Sequence, residues 1–305
     1  HTGTGTLSIN SNVVIQNNTA TSGAGIYVSN AKLILNGNAT ISDNTGNGVQ
    51  LSGTASLVMN DYAQISNNDN SSGNGGGVYM YGNSNTAKCT LTINDSAKII
   101  GNKARPGAGI YMGYAADVIM NGGTISENIA SQSGGGVSNG DACTFTMNGG
   151  TFSNNEVSAT YGYGGGVYNN LGTFSMSGGT ICNNTATVGS GICHYPNYDK
   201  TNTLSISDSA KIDSGNDVYL YAGVTIIVAG ALTDAVVAIT PATYAEDTQI
   251  LIGEDGATAD FSTDALEHFT ITPQTTDATG TELDTPIQWK INSEGKLQKD
   301  ENGNS

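Results

Sequence analysis

The chain has 305 residues, of which 42 are glycine, and only 12% carry charge. The glycine share is about twice the ordinary one and the charged share about half, while 37% apolar residues are too many for a disordered tail. A net charge of −16 argues against binding to nucleic acid or to an anionic membrane, since both need a basic surface. The longest apolar run, near Val224–Val228, is far too short for direct membrane insertion as a helix.

The first recurring pattern is an alternating segment that ends in Asn or Ser. It occurs as GTLSIN (5–10), AKLILN (31–36), ASLVMN (55–60), CTLTIN (89–94), ADVIMN (116–121), CTFTMN (143–148), GTFSMS (172–177) and NTLSIS (202–207). The starts are 24 to 34 residues apart, which is the length of one solenoid coil. Residues two apart point to the same side of a strand, so Leu33, Leu35 and their equivalents are predicted to face inward and to stack into an apolar column.

The second pattern is an apolar residue followed three places later by Asn. The asparagines predicted to form a structural ladder are Asn18, Asn44, Asn68, Asn102, Asn128, Asn155 and Asn184. The eighth coil has Ile212 followed by Gly215 and breaks this rule.

The third pattern is Gly-x-Gly before Ile or Val, at 23–26, 46–49, 75–78, 107–110, 134–137, 164–167 and 189–192. Such glycines suit turns that need positive φ or close backbone approach.

These patterns predict an all-β fold, a right-handed parallel β-helix of about eight coils with three strands per coil. The predicted divisions are the β-helix at 1–217, a β-rich cap or small domain at 218–300, and a linker at 301–305. A leucine-rich repeat would need a helical half, propeller blades are longer, and a period of two excludes helices. Trp289 is predicted to anchor the core of the cap, and 262–269 could hold one short helical turn.

The phrase MNGGTISEN…GGGV at 120–137 resembles the repeats of polymorphic outer-membrane-type proteins and the β-helix repeats of large surface proteins of gut bacteria. The resemblance covers about residues 4–220 and implies a pectin-lyase-like β-helix. Relatives of this kind are usually surface-exposed and often adhesive, but they also include enzymes and stalks. The chain begins in the middle of the pattern, so we expect it to be a module of a longer protein with neighbouring modules.

Cysteine and histidine offer little chemistry in this pattern. Cys89 and Cys143 fall on the inward phase and are predicted to be buried free thiols. Cys182 and Cys193 are predicted to point outward, with a disulfide between them left open. His194, in the segment CHYPNYDK, is predicted to be an exposed loop residue. No cysteine or histidine spacing suits zinc, so no metal site is predicted.

The acids are scattered, but Asp61, Asp95 and Asp208 share the position after the first strand. Asp61 and Asp95 fall in adjacent coils and are predicted to lie about 5 Å apart. Such a pair could hold a cation or act as the two carboxylates of a glycosidase, but solvated turn caps are the favoured interpretation. No catalytic residue and no cofactor are predicted; calcium at the surface acids is left open, without support from the sequence.

The residue that follows each Gly-x-Gly-Ile/Val motif is predicted to face outward and to form an interrupted aromatic strip. In chain order these residues are Tyr27, Gln50, Tyr79, Tyr111, Ser138, Tyr168 and Cys193, with Tyr219 in the eighth coil. The ligand-binding candidates are Tyr79, Tyr111 and Tyr168, together with Tyr161, Tyr163 and Tyr195 in nearby loops; Tyr81 and Tyr198 also lie close. Aromatic faces beside polar groups suit sugar rings or a protein surface, but they could also be a ladder that only stabilises the sheet.

The leading hypothesis is a non-enzymatic, extracellular or bacterial cell-surface adhesin or stalk module that presents this face to host glycan or protein. The first alternative is a carbohydrate-active enzyme, a polysaccharide lyase or glycoside hydrolase, acting in a groove along the helix. It requires converging acids with a basic partner, and Arg105 is the only arginine. The second alternative is a purely structural spacer.

Overall fold

The protein is described by a computed structural model over residues 1–196, 202–213, 215–257 and 259–300. The described residues form an all-β parallel solenoid of about nine turns with almost no helix. Each of the first eight coils contains three main strands, and strands at equivalent places in successive coils pair in parallel. The predicted all-β fold with three strands per coil is therefore confirmed.

The same order of strands recurs from coil to coil. Coils 1 to 4 contain β1 (Thr6–Ile9), β2 (Val14–Gln16), β3 (Ile26–Ser29); β4 (Lys32–Leu35), β5 (Thr40–Ser42), β6 (Val49–Ser52); β7 (Ser56–Met59), β8 (Gln64–Ser66), β9 (Asp69–Asn70), β10 (Val78–Tyr81); β11 (Cys89–Ile93), β12 (Lys98–Ile100), β13 (Lys103–Pro106) and β14 (Ile110–Tyr114). Coils 5 to 8 contain β15 (Ala116–Met120), β16 (Thr124–Ser126), β17 (Ile129–Ser133), β18 (Val137–Asp141); β19 (Thr144–Met147), β20 (Thr151–Ser153), β21 (Glu156–Val157), β22 (Val167–Asn169); β23 (Thr173–Met176), β24 (Thr180–Cys182), β25 (Ile192–His194); β26 (Thr203–Asp208), β27 (Lys211–Ile212) and β28 (Val218–Leu220).

The core is a set of apolar columns that run along the solenoid. Leu33 pairs in register with Leu57, and Leu57 with Leu91, and all three side chains are buried. Farther along, the column changes to Phe145 and Phe174, whose rings stack with centroids 5.3 Å apart. Because one coil cannot bury its apolar side alone, this stacking is the main source of stability.

Two local devices bend the chain at the corner that follows the second strand. The residue before each ladder asparagine has a left-handed conformation, as in Asn67 (φ 52°) and Glu127 (φ 56°). In the Gly-x-Gly motif of coil 4, Gly107 has φ +63°, while a Cβ on Gly109 would lie 2.5 Å from the carbonyl oxygen of Gly136. The first glycine thus provides the turn and the second allows close approach of the next coil.

An additional four-stranded parallel sheet covers this corner in coils 3 to 6 and consists of β9, β13, β17 and β21. It lies over a small cluster of Ala104, Ala108, Ala130 and Val157. Coil 2 has no strand in this sheet, and the loop between its second and third main strands is short. Six residues separate Ser42 from Val49 in coil 2. The same loop has nine residues between Gln16 and Ile26 in coil 1, and eleven between Ser66 and Val78 in coil 3. The chain is therefore recessed at coil 2.

The parallel stacking continues beyond Asp217. The remaining elements are β29 (Ile226–Leu232), β30 (Val236–Pro241), β31 (Leu251–Gly253), α1 (Thr263–Leu266), β32 (Phe269–Ile271), β33 (Gln274–Thr276), β34 (Glu282–Ile287), β35 (Trp289–Ile291) and β36 (Leu297–Lys299). Strand β30 pairs with both β27 and β28, so two sides of the coil merge into one strand. The predicted boundary at 217 falls between β27 and β28 of coil 8. The division into two domains stays a prediction, and the predicted linker at 301–305 lies outside the described residues.

Two hairpins, β33–β34 and β35–β36, follow the last stacked strands. Trp289 is buried, and its indole N–H donates a hydrogen bond to Gln274 Oε1 at 3.2 Å. The turn of the second hairpin lies against the end of the solenoid, where the backbone N–H groups of Ile250 and Leu251 donate to the carbonyl oxygen of Gly295 at 2.9 and 3.0 Å.

Candidate functional site

The asparagines of the second pattern are hydrogen-bonded to one another in series. Along Asn18, Asn44, Asn68, Asn102, Asn128, Asn155, Asn184 and Asn216, each Nδ2 donates to the next Oδ1 at 2.8 to 3.0 Å. The expected break in coil 8 does not occur, because Asn216, four rather than three residues after Ile212, takes the ladder position. Beyond Asn18 the ladder side chains are buried, so its contacts serve the structure rather than a ligand.

A second, outer ladder joins the asparagines that end the first strands. Asn36 donates to Asn10 at 2.7 Å, Asn60 to Asn36 at 2.8 Å, and the series continues through Asn94, Asn121 and Asn148. It runs from each coil to the preceding one, opposite to the inner ladder. Its terminal members are exposed to solvent.

The outward residues of the third strands are aligned in register along the solenoid. Tyr79 pairs with Gln50 on one side and with Tyr111 on the other, and the column continues through Ser138, Tyr168, Cys193 and Tyr219. Ser138 interrupts the aromatic side chains, so the tyrosines form two separate clusters.

The first cluster consists of Tyr79, Tyr81, Tyr111 and Tyr114. The rings of Tyr79 and Tyr111 stack with centroids 5.5 Å apart and an interplanar angle of 22°, and those of Tyr81 and Tyr114 lie 5.8 Å apart. Partial burial raises the pKa of the Tyr79 and Tyr111 phenols, so both are neutral at ordinary pH and can donate hydrogen bonds.

The second cluster consists of Tyr163, Tyr168, Tyr195, Tyr219 and Tyr221. Ring centroids lie 5.8 Å apart for Tyr163 and Tyr168, 6.2 Å for Tyr168 and Tyr195, and 4.5 Å for Tyr195 and Tyr221. Burial raises the pKa of Tyr168. Tyr161 is 77% exposed. Tyr198 lies outside the described residues.

A groove of about 620 Å³ opens above the recessed corner of coil 2. Its floor is Thr45–Asn47 with Gln50, and one wall is Thr19–Ser22 of coil 1. The other wall comes from coil 3 and consists of Asp69, Asn70, Ser72–Asn74 and Tyr79. The aromatic strip therefore reaches the edge of an open cavity at Tyr79. The groove was not predicted from the sequence. The feature that could have indicated it is the length of coil 2, since the 24 residues between the motif starts at 31 and 55 make it the shortest repeat.

Hydrogen bonds tie both walls of the groove to its floor. The buried Asn47 side chain donates to the carbonyl oxygens of Asn74, at 2.8 Å, and Gly75, and its Oδ1 accepts from the Gly23 N–H at 3.5 Å. The Ser71 hydroxyl donates to Asp69, and this hydrogen bond is the main reason that the Asp69 pKa is lowered. The groove is thus held open and carries one ionised carboxylate.

His194 was predicted to be an exposed loop residue, and this prediction is wrong. It lies in β25 with 1% of its surface exposed, in register with Asn169, whose Nδ2 donates to His194 Nδ1 at 3.1 Å. Asn139 in turn donates to Asn169 Oδ1 at 2.8 Å. Burial lowers the His194 pKa to about 4. The histidine is therefore a neutral member of a polar column inside the core.

All four cysteines are free thiols, so no disulfide joins Cys182 and Cys193. Cys89 and Cys143 are buried as predicted, and burial raises the pKa of each to about 12. Cys193 has outward register, as predicted, but is fully buried because the second tyrosine cluster surrounds it. None of these three buried thiols is an activated nucleophile.

Asp61 and Asp95 act as caps of the neighbouring turn. Asp61 Oδ2 accepts from the Gly37 N–H at 2.8 Å, and Asp95 Oδ2 accepts from the Asp61 N–H at 3.0 Å. Both residues have left-handed backbone conformations, with φ of 56° and 53°. This geometry fits the turn caps favoured from the sequence and gives no support to a catalytic or cation-binding pair.

Among the described residues, no group of three or more His, Cys, Asp or Glu side chains could hold a metal ion. Within the same part of the chain, no helix has the length and apolar character needed to cross a bilayer.

Comparison of the chain with protein-family models, with curated proteins and with solved structures finds no match in any of the three. The family resemblance therefore depends on the repeated motifs alone, and the structure establishes the parallel β-solenoid.

Proposed function

We propose that this protein is a non-enzymatic binding module, secreted or displayed on a bacterial cell surface, that holds a glycan on its aromatic face. The observation that supports the proposal is the alignment of Tyr79 and Tyr111 with an open polar groove beside them. Stacked rings offer apolar faces to the C–H side of a sugar, while neighbouring amides and hydroxyls can bond its hydroxyl groups. The resemblance to surface-protein repeats points the same way.

A glycan-array screen of the module tests the proposal, with a triple variant, Tyr79→Ser, Tyr111→Ser and Tyr168→Ser. Aromatic contacts contribute about 0.5–1.5 kcal/mol each, so we expect the variant to bind at least about tenfold more weakly. Tyr62→Ser is the matched control, because Tyr62 is 65% exposed but lies outside both clusters. Circular dichroism verifies that each variant is folded.

Two outcomes would contradict glycan binding by the strip. If the wild-type protein binds no glycan on the array, the result would favour a role as a structural spacer or as a module that binds a protein partner. Equal binding by the wild type and the triple variant would place the glycan elsewhere, and the stacked tyrosines would then be a ladder that only stabilises the sheet.

A further inference from the structure

We infer that the groove above coil 2 is a discrete binding site for a short uncharged oligosaccharide; the inference deepens the proposed function and rests on it. The groove exists because the coil 2 loop is short while the loops of coils 1 and 3 on either side are longer. A cavity of about 620 Å³ lies within the usual range of about 300–1,000 Å³ for small-molecule sites.

The chemistry of the lining selects for sugars. Hydroxyl and amide side chains of Thr45, Asn70 and Gln50 offer both donors and acceptors, and Tyr79 supplies one aromatic wall. A peptide strand would need free backbone groups along the floor, but there Thr45 already forms β-bridges with Thr19 and Asp69 on its two sides. The lining thus suits a ligand that carries many hydroxyl groups and an apolar face better than an extended peptide.

The charge of the residues that line the groove favours uncharged sugars over acidic ones. Asp69 is the only charged residue among those that line the groove, and its lowered pKa keeps it ionised at neutral pH. The whole chain carries −16. Lys103 pairs in register with Asp69 and contributes to its lowered pKa, but it does not line the groove. A uronate, sialate or sulfated sugar would therefore face Asp69 with no cationic lining residue, whereas an uncharged sugar can donate a hydrogen bond to that carboxylate.

The groove is also preorganised. Backbone hydrogen bonds join the floor to both walls: the Ala20 N–H donates to the Thr45 carbonyl oxygen at 3.1 Å, and the Gly46 N–H donates to the Asp69 carbonyl oxygen at 2.8 Å. Within the coil 3 wall, Asn70 Nδ2 donates to the Asn74 carbonyl oxygen at 2.8 Å. A ligand therefore meets walls that are already fixed, which lowers the entropy cost of binding.

Titration calorimetry with cellotriose, maltotriose, mannotriose and chitotriose, and with trigalacturonate as the acidic probe, tests the site. We expect at least one neutral trisaccharide to bind. The Thr45→Trp side chain would fill the floor of the groove, so we expect this variant to bind that trisaccharide at least about tenfold more weakly. Thr185→Trp is the matched control, because Thr185 is an exposed residue that bridges to Glu156 in the same column at the other end of the solenoid. Ser72→Trp at the rim repeats the test if Thr45→Trp does not fold.

A double variant, Tyr111→Ser and Tyr168→Ser, separates the groove from the rest of the strip, since neither residue lines the groove. Binding that is lost in Thr45→Trp and retained in the double variant supports the groove even where the wider strip is inert. Binding that survives Thr45→Trp but fails in the double variant overturns the groove and leaves the strip proposal standing. Preference for trigalacturonate overturns the sugar class, and absence of all binding to these probes overturns the site.

Discussion

At the scale of single residues, His194 shows how a solenoid fixes a protonation state. The ladder runs from Asn139 through Asn169 to His194, and the amide N–H of Asn169 can only donate, so His194 Nδ1 must accept and stay unprotonated. Equivalent places in neighbouring coils hold Met112 and Leu220. The three polar residues therefore replace apolar residues within an inward-facing column that is apolar on either side of them.

The buried His194 makes stability depend on pH in a defined window. Its folded pKa, about 4, is below the ordinary 6.5, so between these values the unfolded chain binds a proton that the folded chain does not. The free energy of unfolding must then fall as pH falls from 6.5 to 4, by about 3 kcal/mol in total, and level off below that window. His194→Leu, which copies Leu220, should flatten this part of the pH profile in denaturant unfolding. Equal slopes for the variant and the wild type would contradict the assignment.

The sequence predicted the wrong environment for His194 for an identifiable reason. Its segment contains Pro and Asn and reads as a loop, whereas strand alternation from the outward Cys193 already requires His194 to face inward. Only the three-dimensional register shows that Asn169 lies beside His194 and donates a hydrogen bond to it, while Asn139 in the preceding coil donates to Asn169. Local composition and strand alternation disagreed at this position, and alternation was correct.

At the scale of elements, the two asparagine ladders provide a comparison within one molecule. Asn128 is fully buried; its Nδ2 donates to Asn155 Oδ1 and the Ile99 carbonyl oxygen, and its Oδ1 accepts from Asn102. Asn128→Ala leaves several of these groups unpaired, at about 1–3 kcal/mol each, so we expect a loss of about 3 kcal/mol or more. Asn121→Ala in the exposed outer ladder should cost about 1 kcal/mol or less. Urea unfolding of both variants measures the difference; equal losses would show that burial is not the cause.

The three main strands of coils 1 to 7 follow from the sequence because each has its own recurring signal, whereas the additional strands β9, β13, β17 and β21 have none and were not predicted. The left-handed residue before each ladder asparagine and the paired glycines set the corners, and alternation sets the inward face. The signals fail where geometry changes by one residue, as at Asn216, or where two sides merge, as at β30. The tyrosine alignment could be predicted from spacing, but the groove could not be read from any single repeat, since it depends on the difference in length between neighbouring coils.

At the scale of the whole molecule, the ends of a solenoid are where unpaired strand edges invite association. The end that follows β31 and β32 lies against the β35–β36 hairpin, whose turn accepts two backbone hydrogen bonds at Gly295. Leu297 is 1% exposed and belongs to the same core cluster as the last coils. The hairpin is therefore both a cover for the open edge and a small extension of the core.

Leu297→Asp places a charge in that buried position and should displace the hairpin while the coils remain folded, because each coil depends mainly on its neighbours. We expect unchanged far-ultraviolet circular dichroism of the solenoid and concentration-dependent association in analytical ultracentrifugation, since the exposed strands can pair with another molecule. Gln298→Asp is the matched control, because the adjacent Gln298 is exposed and the charge change is the same. A Leu297→Asp protein that stays monomeric at all concentrations would show that the hairpin does not protect the edge, and loss of the solenoid spectrum would show that hairpin and coils unfold as one unit.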